Sequence, residues 1–476
     1  MYNAVLLCIV FIPVIGSLIL PLIGRMSPKI RNMLALALIS ASFILSLLLI
    51  PQAMSGRAAV FNMRLAFGFN LAFTADGLAV FMACVSSMIS ALIILYSFDY
   101  ISHYENQNEY YSMVVLFCGS MMGLVFSANL ILLFIFWELT AITSWRLIGY
   151  FREKLHVIKA DKAFLVTVFG ALLMLIGFIA IFQQTGSFDL SAIKGKQFPD
   201  IVLLLILAGI LSKSATLPFH TWLPDAGVAP SPVTALLHAA VLVKIGVYVF
   251  ARLFVATFAI SSIWHVVVPA IAVASTLVSA GAAFMETDLK RIIAYSTVSQ
   301  IGFIFLGFSS GNLIGITGGL LYILMHGLSK AGLFLCAGII EQNTKTKDIT
   351  KLGGLIKTMP VTAVSFLLCA FSVMGIPPFG GFFSKFMVFA GSIESRQYLL
   401  ASLFLAGAFM TITYLFRVFN LVFLGEERFP SALEGSRLMV TCVAIFALLS
   451  LAGGILISFP ADFARIAASQ MLGMVK

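Results

Sequence analysis

Long apolar stretches separated by short polar segments run through the whole chain. Most of them have the length of about 17–25 residues that a helix needs to cross the hydrocarbon core of a bilayer. The pattern predicts about fourteen membrane helices. They lie near residues 3–24, 32–50, 77–99, 110–128, 129–150, 163–183, 201–219, 232–256, 262–284, 292–309, 313–340, 360–390, 398–424 and 438–459. The fourth and fifth helices abut near Asn129 with almost no loop.

The composition excludes a water-soluble fold. Of the 476 residues, 61% are hydrophobic and 10% are charged, and the mean hydropathy is +1.08. A soluble protein of this size could not bury so much apolar surface. We therefore predict an all-α polytopic membrane protein. The apolar start lacks a charged segment and a cleavage site, which favours a first membrane helix over a removed signal peptide.

The basic residues of the chain lie mainly in its loops. A net charge of +10 is compatible with nucleic-acid binding, but the basic residues lie in short loops between apolar runs. Alternate loops hold most of them: Arg25, Lys29, Arg31, Arg152, Lys154, Lys159, Lys162, Lys290, Arg291, Lys345, Lys347, Lys351, Lys357, Arg428 and Arg437. The positive-inside rule places these loops in the cytoplasm, which leaves both termini outside. We predict no nucleic-acid partner.

The chain also repeats itself weakly. The segment "SKSATLPFHTW" (212–222) is echoed by "SVMGIPPFGGF" (372–382), five helices later. An odd number of crossings makes the second copy inverted, as in many ion-translocating proteins. We predict N-terminal helices one to three in 1–109, repeat one in 110–256, repeat two in 262–424 and a last helix in 438–459. Chance similarity of two proline-containing helices is the alternative.

Prolines predict a break in each copy. Pro218 has no N–H, so the carbonyl of Ser214 loses its helical partner, and Pro377 and Pro378 act in the same way on Val373 and the residue after it. Free carbonyls at membrane depth are tolerated only inside protein or beside water. Helices seven and twelve are therefore predicted to be broken helices with a polar interior.

Several ionisable residues fall inside the predicted spans, where each charge costs about 2.5–3.5 kcal/mol on insertion scales. They are Glu138, Arg146, Lys213, Lys244, Lys330, Lys385 and Arg417, together with His238 and His326. A cation near a helix end often reaches back to the membrane surface. That interpretation stays open for Lys385 and Arg417, but it does not fit Lys213 and Lys244, which lie well within apolar runs.

These residues suit a proton relay. We predict that Glu138 pairs with Lys213, with a static structural ion pair as the alternative. His326 and Lys330 are spaced i,i+4 and share one helix face, where they form further stations. Lysine is suitable because burial and a nearby acid change its affinity for a proton. Arg146 lies about two turns beyond Glu138 and could compete for it.

Five motifs carry a family resemblance. They are "FWELT…SW…LIGY", "KSATLPFHTWLPDAGVAPSPVTALLHAAVLVKIGVYVFAR", "DLKRIIAYSTVSQIGF", "HGLSKAGLFL" and "GIPPFGGFFSK". The chain resembles, over essentially its whole length, the proton-translocating antiporter-like subunits of respiratory complex I, Mrp antiporters and membrane-bound nickel–iron hydrogenases. "FWELT", "QTGSFDL" (184–190) and the short C-terminus resemble most the hydrogenase-4 and formate hydrogenlyase type, component D in particular.

The resemblance implies a fold and a pathway. The fold has fourteen helices, two inverted five-helix repeats and broken helices seven and twelve. The pathway residues would be Glu138, Lys213, Lys244, His326, Lys330 and, as the exit lysine, Lys385. The helix breaks would be those at Pro218, Pro377 and Pro378, and the modulators Arg146, His238 and Arg417.

The resemblance also implies a division of labour. The chain would be a non-catalytic, proton-pumping subunit without a cofactor of its own, in a prokaryotic cytoplasmic membrane. Iron–sulfur clusters and a nickel–iron site would lie on peripheral redox subunits, beside other membrane subunits. Protons would be moved, with sodium left open. An Mrp-type antiporter subunit or a complex I subunit is the alternative. No nucleophile or metal-ligand spacing indicates catalysis, and the six cysteines are scattered.

Overall fold

The computed structural model describes residues 2–64 and 70–474. In these residues, twelve helices are long and apolar enough to cross a membrane, and two further crossings, α7 and α12, consist of shorter segments. The crossings are α1 Tyr2–Met26, α2 Pro28–Leu47, α3 Gly77–Tyr100, α4 Gln107–Phe126, α5 Leu130–Ile148, α6 Lys154–Thr185, α7 Asp200–Lys213 with Trp222–Asp225, α8 Ser231–Val255, α9 Trp264–Met285, α10 Leu289–Ser309, α11 Leu313–Thr344, α12 Pro360–Met374 with Gly380–Glu394, α13 Tyr398–Phe423 and α14 Arg437–Ile455.

The protein is thus an all-α, multi-pass membrane protein, as the sequence predicted. Helices α8, α10 and α11 are almost completely buried, whereas α1, α2, α6 and α13 keep wide apolar faces outside the bundle. Asn129 caps the start of α5, which confirms the split between the fourth and fifth helices. The start of α6 was predicted too late, because α6 begins at Lys154 in a basic segment that precedes its apolar run.

Two elements had no counterpart in the predicted pattern. Strands β1 (Ala59–Arg64) and β2 (Asn70–Ala75) form an antiparallel hairpin between α2 and α3. A last helix, α15 (Ser458–Met471), follows α14 and packs on α3 and α11. Both lie at the membrane face where α1 begins, which we call the α1 face. The other face is called the opposite face.

Both predicted helix breaks are present. The first half of α7 ends at Lys213, and the chain resumes a helix only at Trp222. The first half of α12 ends at Met374, and the second begins at Gly380. Each break contains one cis X-Pro peptide bond, Leu217–Pro218 or Pro377–Pro378. The breaks lie directly after Lys213 and directly before Lys385.

Helix α8 has an interruption that the sequence did not indicate. Leu236–Ala240 form a π-helical turn, and Val241 leaves helical geometry with φ −127° and ψ −74° before the helix continues at Leu242. A second π turn covers Ala251–Val255. Such turns occur mostly at functional sites. Here the first one contains His238 and precedes the helical segment that carries Lys244.

The two halves of the chain share a local structure, which lies at the α1 face in the first half and at the opposite face in the second. Helices α6 and α11 are each 32 residues long and end in a residue with left-handed backbone. After α6, Asp189 forms a β-bridge with Asn129, the N-cap of α5, and after α11, Asp348 forms one with Asp288, the N-cap of α10. Five crossings separate the two bridges, so they lie on different faces. This supports inverted repeats, while the boundaries 110–256 and 262–424 stay predictions.

Candidate functional site

The site is built around the break in α7. Lys213 is the last residue of the first half of α7, and its side chain is completely buried. Its amine donates a hydrogen bond to the carbonyl of Trp137 on α5 at 3.1 Å and lies 5.3 Å from the centre of the Trp137 ring. The indole of Trp222 donates to the carbonyl of Ser212 at 3.0 Å and so closes the break from the other side. The amine therefore meets a carbonyl and an aromatic face.

Glu138 does not form the predicted ion pair. It follows Trp137 on α5, but no oxygen of Glu138 lies within 4.0 Å of the Lys213 amine, and its Oε1 is buried without a hydrogen-bond partner among the described residues. The prediction was wrong because the Lys213 amine binds the backbone carbonyl of Trp137, the residue before Glu138, and does not bind the Glu138 side chain. The two groups are close neighbours without direct contact.

Arg146 does not compete for Glu138. Its guanidinium pairs with Glu109 at the start of α4, and the same carboxylate also accepts from Arg152 at 2.6 Å. One carboxylate thus joins two cations at the opposite face. Arg146 therefore does not weaken a Glu138–Lys213 contact, because its guanidinium is bound to Glu109.

Lys244 and His326 form the central contact. The Lys244 amine lies 2.6 Å from Nδ1 of His326, and both side chains are at most 1% exposed. Nε2 of His326 has no hydrogen-bond partner among the described residues. The sequence placed these residues on the same route but did not predict that α8 and α11 would bring them into contact.

Lys330 lies one turn along α11 from His326. Its amine donates to the carbonyl of Ile293 at 3.1 Å and to Oγ of Ser296 at 2.6 Å, both on α10. His238, within the π turn of α8, packs its ring 4.5 Å from that of Phe334, and neither of its nitrogens has a partner in the described chain. Of the i,i+4 pair on α11, His326 therefore contacts α8 and Lys330 contacts α10.

The sequence reasoning missed a polar network between Lys330 and Lys385. Ser296 hydrogen-bonds Tyr414 at 2.6 Å, Gln300 donates to Tyr414 at 3.5 Å, and Tyr322 donates to Gln300 at 2.6 Å. All four side chains are buried. A signal was present: Ser296 and Gln300 are spaced i,i+4 within the otherwise apolar α10 and so share a face.

Lys385 is not at the bilayer edge. It is 5% exposed, and its amine donates to the carbonyl of Val373 at 2.7 Å, the carbonyl that the sequence predicted to be freed by Pro377. It also lies 4.7 Å from the ring centre of Phe303 and 5.6 Å from that of Tyr322. The interpretation of Lys385 as a cation that reaches the membrane surface, which the sequence left open, does not fit this burial, because the second half of α12 keeps the amine inside the bundle.

Arg417 lies apart from these residues. Its guanidinium donates to the carbonyls of Phe284 at 2.6 Å and Glu286 at 3.0 Å, where α9 ends at the opposite face. It therefore ties α13 to the end of α9, which agrees with the interpretation of a cation near a helix end.

An ion-pair network joins the halves at the opposite face. Asp225, at the end of α7, accepts from Lys162 on α6 and from Arg291 on α10, each at 2.7 Å. Arg291 also donates to Glu286 at 2.7 Å. Burial works to raise the pKa of Glu286, but hydrogen bonds from Arg291 and from two backbone amides hold that pKa below its usual value.

Within residues 2–64 and 70–474, no group of three or more His, Cys, Asp or Glu side chains could hold a metal ion. The six cysteines are free. The arrangement thus consists of buried amines, imidazoles, hydroxyls and carbonyls along contacting helices. Such groups can hold or pass a proton.

Comparison with known proteins assigns the family. The family model described as "NADH:quinone oxidoreductase/Mrp antiporter, TM" matches residues 127–411. A second, described as "NADH-Ubiquinone oxidoreductase (complex I), chain 5 N-terminus", matches residues 63–111. A Na⁺/H⁺ antiporter subunit A1 of Staphylococcus aureus is 34% identical over 94% of this chain, and this chain spans 60% of that protein's length.

Two solved structures share the fold. A chain of the Mrp complex from Dietzia sp. DQ12-45-1b superimposes with a TM-score of 0.89 at 21% identity, covering 99% of this chain and 97% of the other. A chain of the membrane-bound sulfane sulfur reductase, an archaeal respiratory membrane complex, gives 0.88 at 22% identity, with 99% and 98% covered. The chain belongs to the family of NADH:quinone oxidoreductase and Mrp antiporter transmembrane subunits.

Proposed function

We propose that this chain is a proton-translocating, antiporter-like membrane subunit of a multisubunit complex. The observation that carries the proposal is the way four mid-membrane lysines are held. Within the described chain, each amine contacts neutral acceptors, and none lies within 4.0 Å of a carboxylate. The lysines and their acceptors are Lys213 with Trp137, Lys244 with His326, Lys330 with Ile293 and Ser296, and Lys385 with Val373.

The neutral surroundings suit exchange of a proton rather than storage of a charge. A permanent cation buried without a counter-ion is costly, whereas an amine can give up its proton and remain hydrogen-bonded. Arginine cannot do this, because its guanidinium stays protonated. Four successive lysines without a direct carboxylate contact are therefore expected in a relay and are hard to explain as structural ion pairs.

The helices that carry these groups contact one another in order. The first half of α7 packs on α8, the π turn of α8 packs on α11, and α11 packs on α10 and on the second half of α12. We propose that the route runs from Glu138 past Lys213 and Lys244 to His326, Lys330 and Lys385. The network of Ser296, Gln300, Tyr322 and Tyr414 would link the last two lysines.

Substitution of Lys244 tests the function. In the whole complex, reconstituted in vesicles, Lys244→Ala should abolish driven proton translocation, because His326 would lose its amine partner. Lys244→Arg should not rescue it, since a guanidinium does not release its proton. The measurement is proton movement across the vesicle membrane, normalised to the amount of assembled complex.

Lys351→Ala is the matched control, because the Lys351 side chain is 71% exposed and lies outside the route. It should pump as the wild type does. Wild-type pumping by Lys244→Arg would show that the site requires a fixed charge and would remove proton exchange from the proposal.

The proposed orientation follows the basic residues. Most of them lie at the opposite face, so we place that face in the cytoplasm and the α1 face outside, in a prokaryotic cytoplasmic membrane. Both termini would then be outside. The β1–β2 hairpin would lie on the exterior side.

The driving reaction belongs to partner subunits. "FWELT" and "QTGSFDL" support a redox complex of the hydrogenase-4 or formate hydrogenlyase type, with iron–sulfur clusters and a nickel–iron site on peripheral subunits. The 34% identity with an antiporter subunit A1 favours the second candidate, an Mrp-type cation/proton antiporter. The subunits that purify with the native chain, and their iron and nickel content, decide between these settings and the complex I alternative.

A further inference from the structure

The far end of α8 carries a buried charge cluster that the proposed route does not use. Arg252 is 8% exposed and donates to both carboxylate oxygens of Asp76, the residue that caps the start of α3. The same guanidinium donates to the hydroxyl of Tyr248 through Nε at 3.0 Å and Nη2 at 2.9 Å. Tyr248 in turn donates to the carbonyl of Val125 at the end of α4.

The cluster lies in line with the central lysine. Lys244, Tyr248 and Arg252 are spaced four residues apart on α8, so they follow one another along one helix face. The distance from Lys244 to Arg252 along the axis is about 12 Å at 1.5 Å per residue. Arg252 therefore stands between the middle of the bundle and the α1 face.

A cavity opens directly beyond Arg252. It has a volume of about 340 Å³, and its lining includes Asp76, Arg252, Thr74, Asp189 and Gln470. The hairpin and α15 cover it at the α1 face. A space of this size with several polar side chains in its wall has room for several waters. A proton that reached Tyr248 would thus be one step from hydrated space.

The hydrogen bonds of the cluster block that step. A hydroxyl has one proton to donate and two lone pairs to accept with. In Tyr248 the proton points at a carbonyl and both lone pairs accept from Arg252, so the hydroxyl cannot take a proton from the direction of Lys244. Asp76 accepts from Arg252 through both carboxylate oxygens and from the amide of Ala79, which leaves one of its acceptor sites free. A fixed cation at this place also repels a proton.

We propose that Arg252 is a proton seal, which occupies both acceptor sites of the Tyr248 hydroxyl, binds Asp76 as its counter-ion and so keeps Lys244 insulated from the cavity at the α1 face. Without Arg252, the phenol and the carboxylate would form a donor–acceptor wire from Lys244 to that cavity. Arg252 thus prevents protons on the relay from leaking back through repeat one. The inference rests on the proposed proton-translocating function and adds a residue that enforces coupling.

The test is passive proton flux. The complex is reconstituted in vesicles with an imposed pH gradient and no driving reaction. Arg252→Met should raise the flux per assembled complex about tenfold over wild type, the change that a barrier lowered by 1.36 kcal/mol produces. The double variant Lys244→Met/Arg252→Met should be as tight as wild type, because the wire would lack its inner end. Lys194→Met is the control, since Lys194 is an exposed residue of the same cavity wall and makes no contact in the cluster.

The outcomes separate the seal from simple loosening of the fold. A leak that persists in the double variant, or wild-type tightness of Arg252→Met, overturns the proposal. If Arg252→Met does not assemble, Arg252→Lys serves instead. An ammonium has three donors and cannot replace the four hydrogen bonds that the guanidinium makes to Asp76 and Tyr248, so a leak that depends on Lys244 is again expected, and a tight Arg252→Lys complex overturns the proposal. Driven translocation by the wild type in the same vesicles reports on the proposed function separately.

Discussion

At the residue scale, the buried lysines and the arginines have different partners. Lys213 and Lys385 donate to backbone carbonyls, and Lys244 contacts an imidazole. Arg146 and Arg252, by contrast, bind carboxylates. A guanidinium stays charged, so the buried Arg252 is stabilised by its counter-ion Asp76, whereas an amine can become neutral. The choice of cation at each position thus reports whether the charge there is fixed or exchangeable.

Lys385→Met is expected to abolish proton translocation while the complex still assembles. The substitution removes the exchangeable group and leaves the carbonyl of Val373 without its donor. The free-energy cost of that unsatisfied carbonyl is about 1–3 kcal/mol, which lowers the thermal midpoint without unfolding the chain. Proton uptake by vesicles and the unfolding midpoint are measured together.

The comparison variant is Lys385→Glu, in which a carboxylate replaces the amine as the proton carrier. Partial translocation is expected from it. If Lys385→Met pumped at the wild-type rate, the amine would be a structural donor to the broken helix and no part of the route.

Sequence reasoning found the ionisable residues but could not assign their contacts. Mid-span position identified Lys213, Lys244 and Lys330, since a charge within an apolar run is visible in the letters. The partner of Glu138 was predicted wrongly because pairing depends on distances of a few ångströms between helices. For Lys385 the sequence left open whether the amine reaches the membrane surface, because the packing of a broken helix against its neighbours is not contained in the local pattern.

At the element scale, each broken helix is covered by a glycine of a neighbouring helix. A Cβ on Gly246 of α8 would lie 2.6 Å from the carbonyl oxygen of Ile210 and 2.8 Å from the amide of Ser214, at the break in α7. A Cβ on Gly454 of α14 would overlap the carbonyl of Pro378 in α12. The absence of a side chain thus lets a helix backbone pack directly on the interrupted one.

Gly246→Ala should therefore destabilise the protein by about 1–3 kcal/mol, the usual cost of overpacking a tight core. The obstacle is backbone, which cannot rotate away, so α8 must move off α7 and carry Lys244 with it. Reduced translocation should accompany the lower thermal midpoint. Gly281→Ala is the control, because a Cβ there would meet only the tip of Met410 at 3.8 Å. Equal midpoints for the two variants would show that α8 tolerates the shift.

The breaks differ in how far they could be predicted. Pro218 and Pro377 lack the N–H that a helix needs, so the interruptions of α7 and α12 can be derived from the sequence. The π turn of α8 lies in "LLHAA", which contains no proline or glycine. It packs against α11, where a Cβ on Gly327 would be 3.2 Å from the carbonyl of Ala239. The π turn thus coincides with a contact to another helix, and a local sequence pattern does not reveal such a contact.

At the scale of the whole molecule, the hydrophobic pattern predicted the number and order of the crossings because lipid imposes one length on every span. It did not predict the β1–β2 hairpin or α15, which lie outside the spans and obey no such constraint. The match of α5–α6 with α10–α11 goes beyond the proline echo, since each pair ends in an equivalent β-bridge. The two halves then meet at the opposite face through Asp225 and Arg291.

Glu286→Gln tests whether this ionic contact stabilises the assembled halves. Glu286 accepts from Arg291, which also binds Asp225, so loss of its charge weakens the network that joins α7 to α10. The expected loss is less than about 1 kcal/mol, because these side chains are partly exposed. The pKa of Glu286 is held below its usual value by these hydrogen bonds, against the effect of burial. Its contribution is therefore complete at neutral pH and disappears as the pH falls through that lowered pKa.

The thermal midpoint of Glu286→Gln should thus lie below that of the wild type at pH 7, and the two should converge on acidification. Glu394→Gln is the matched control, because Glu394 is exposed and has no ion pair among the described residues. It should match the wild type at both pH values. A difference for Glu286→Gln that stays constant with pH would mean that the shape of the side chain, and not its charge, stabilises this junction of the two halves.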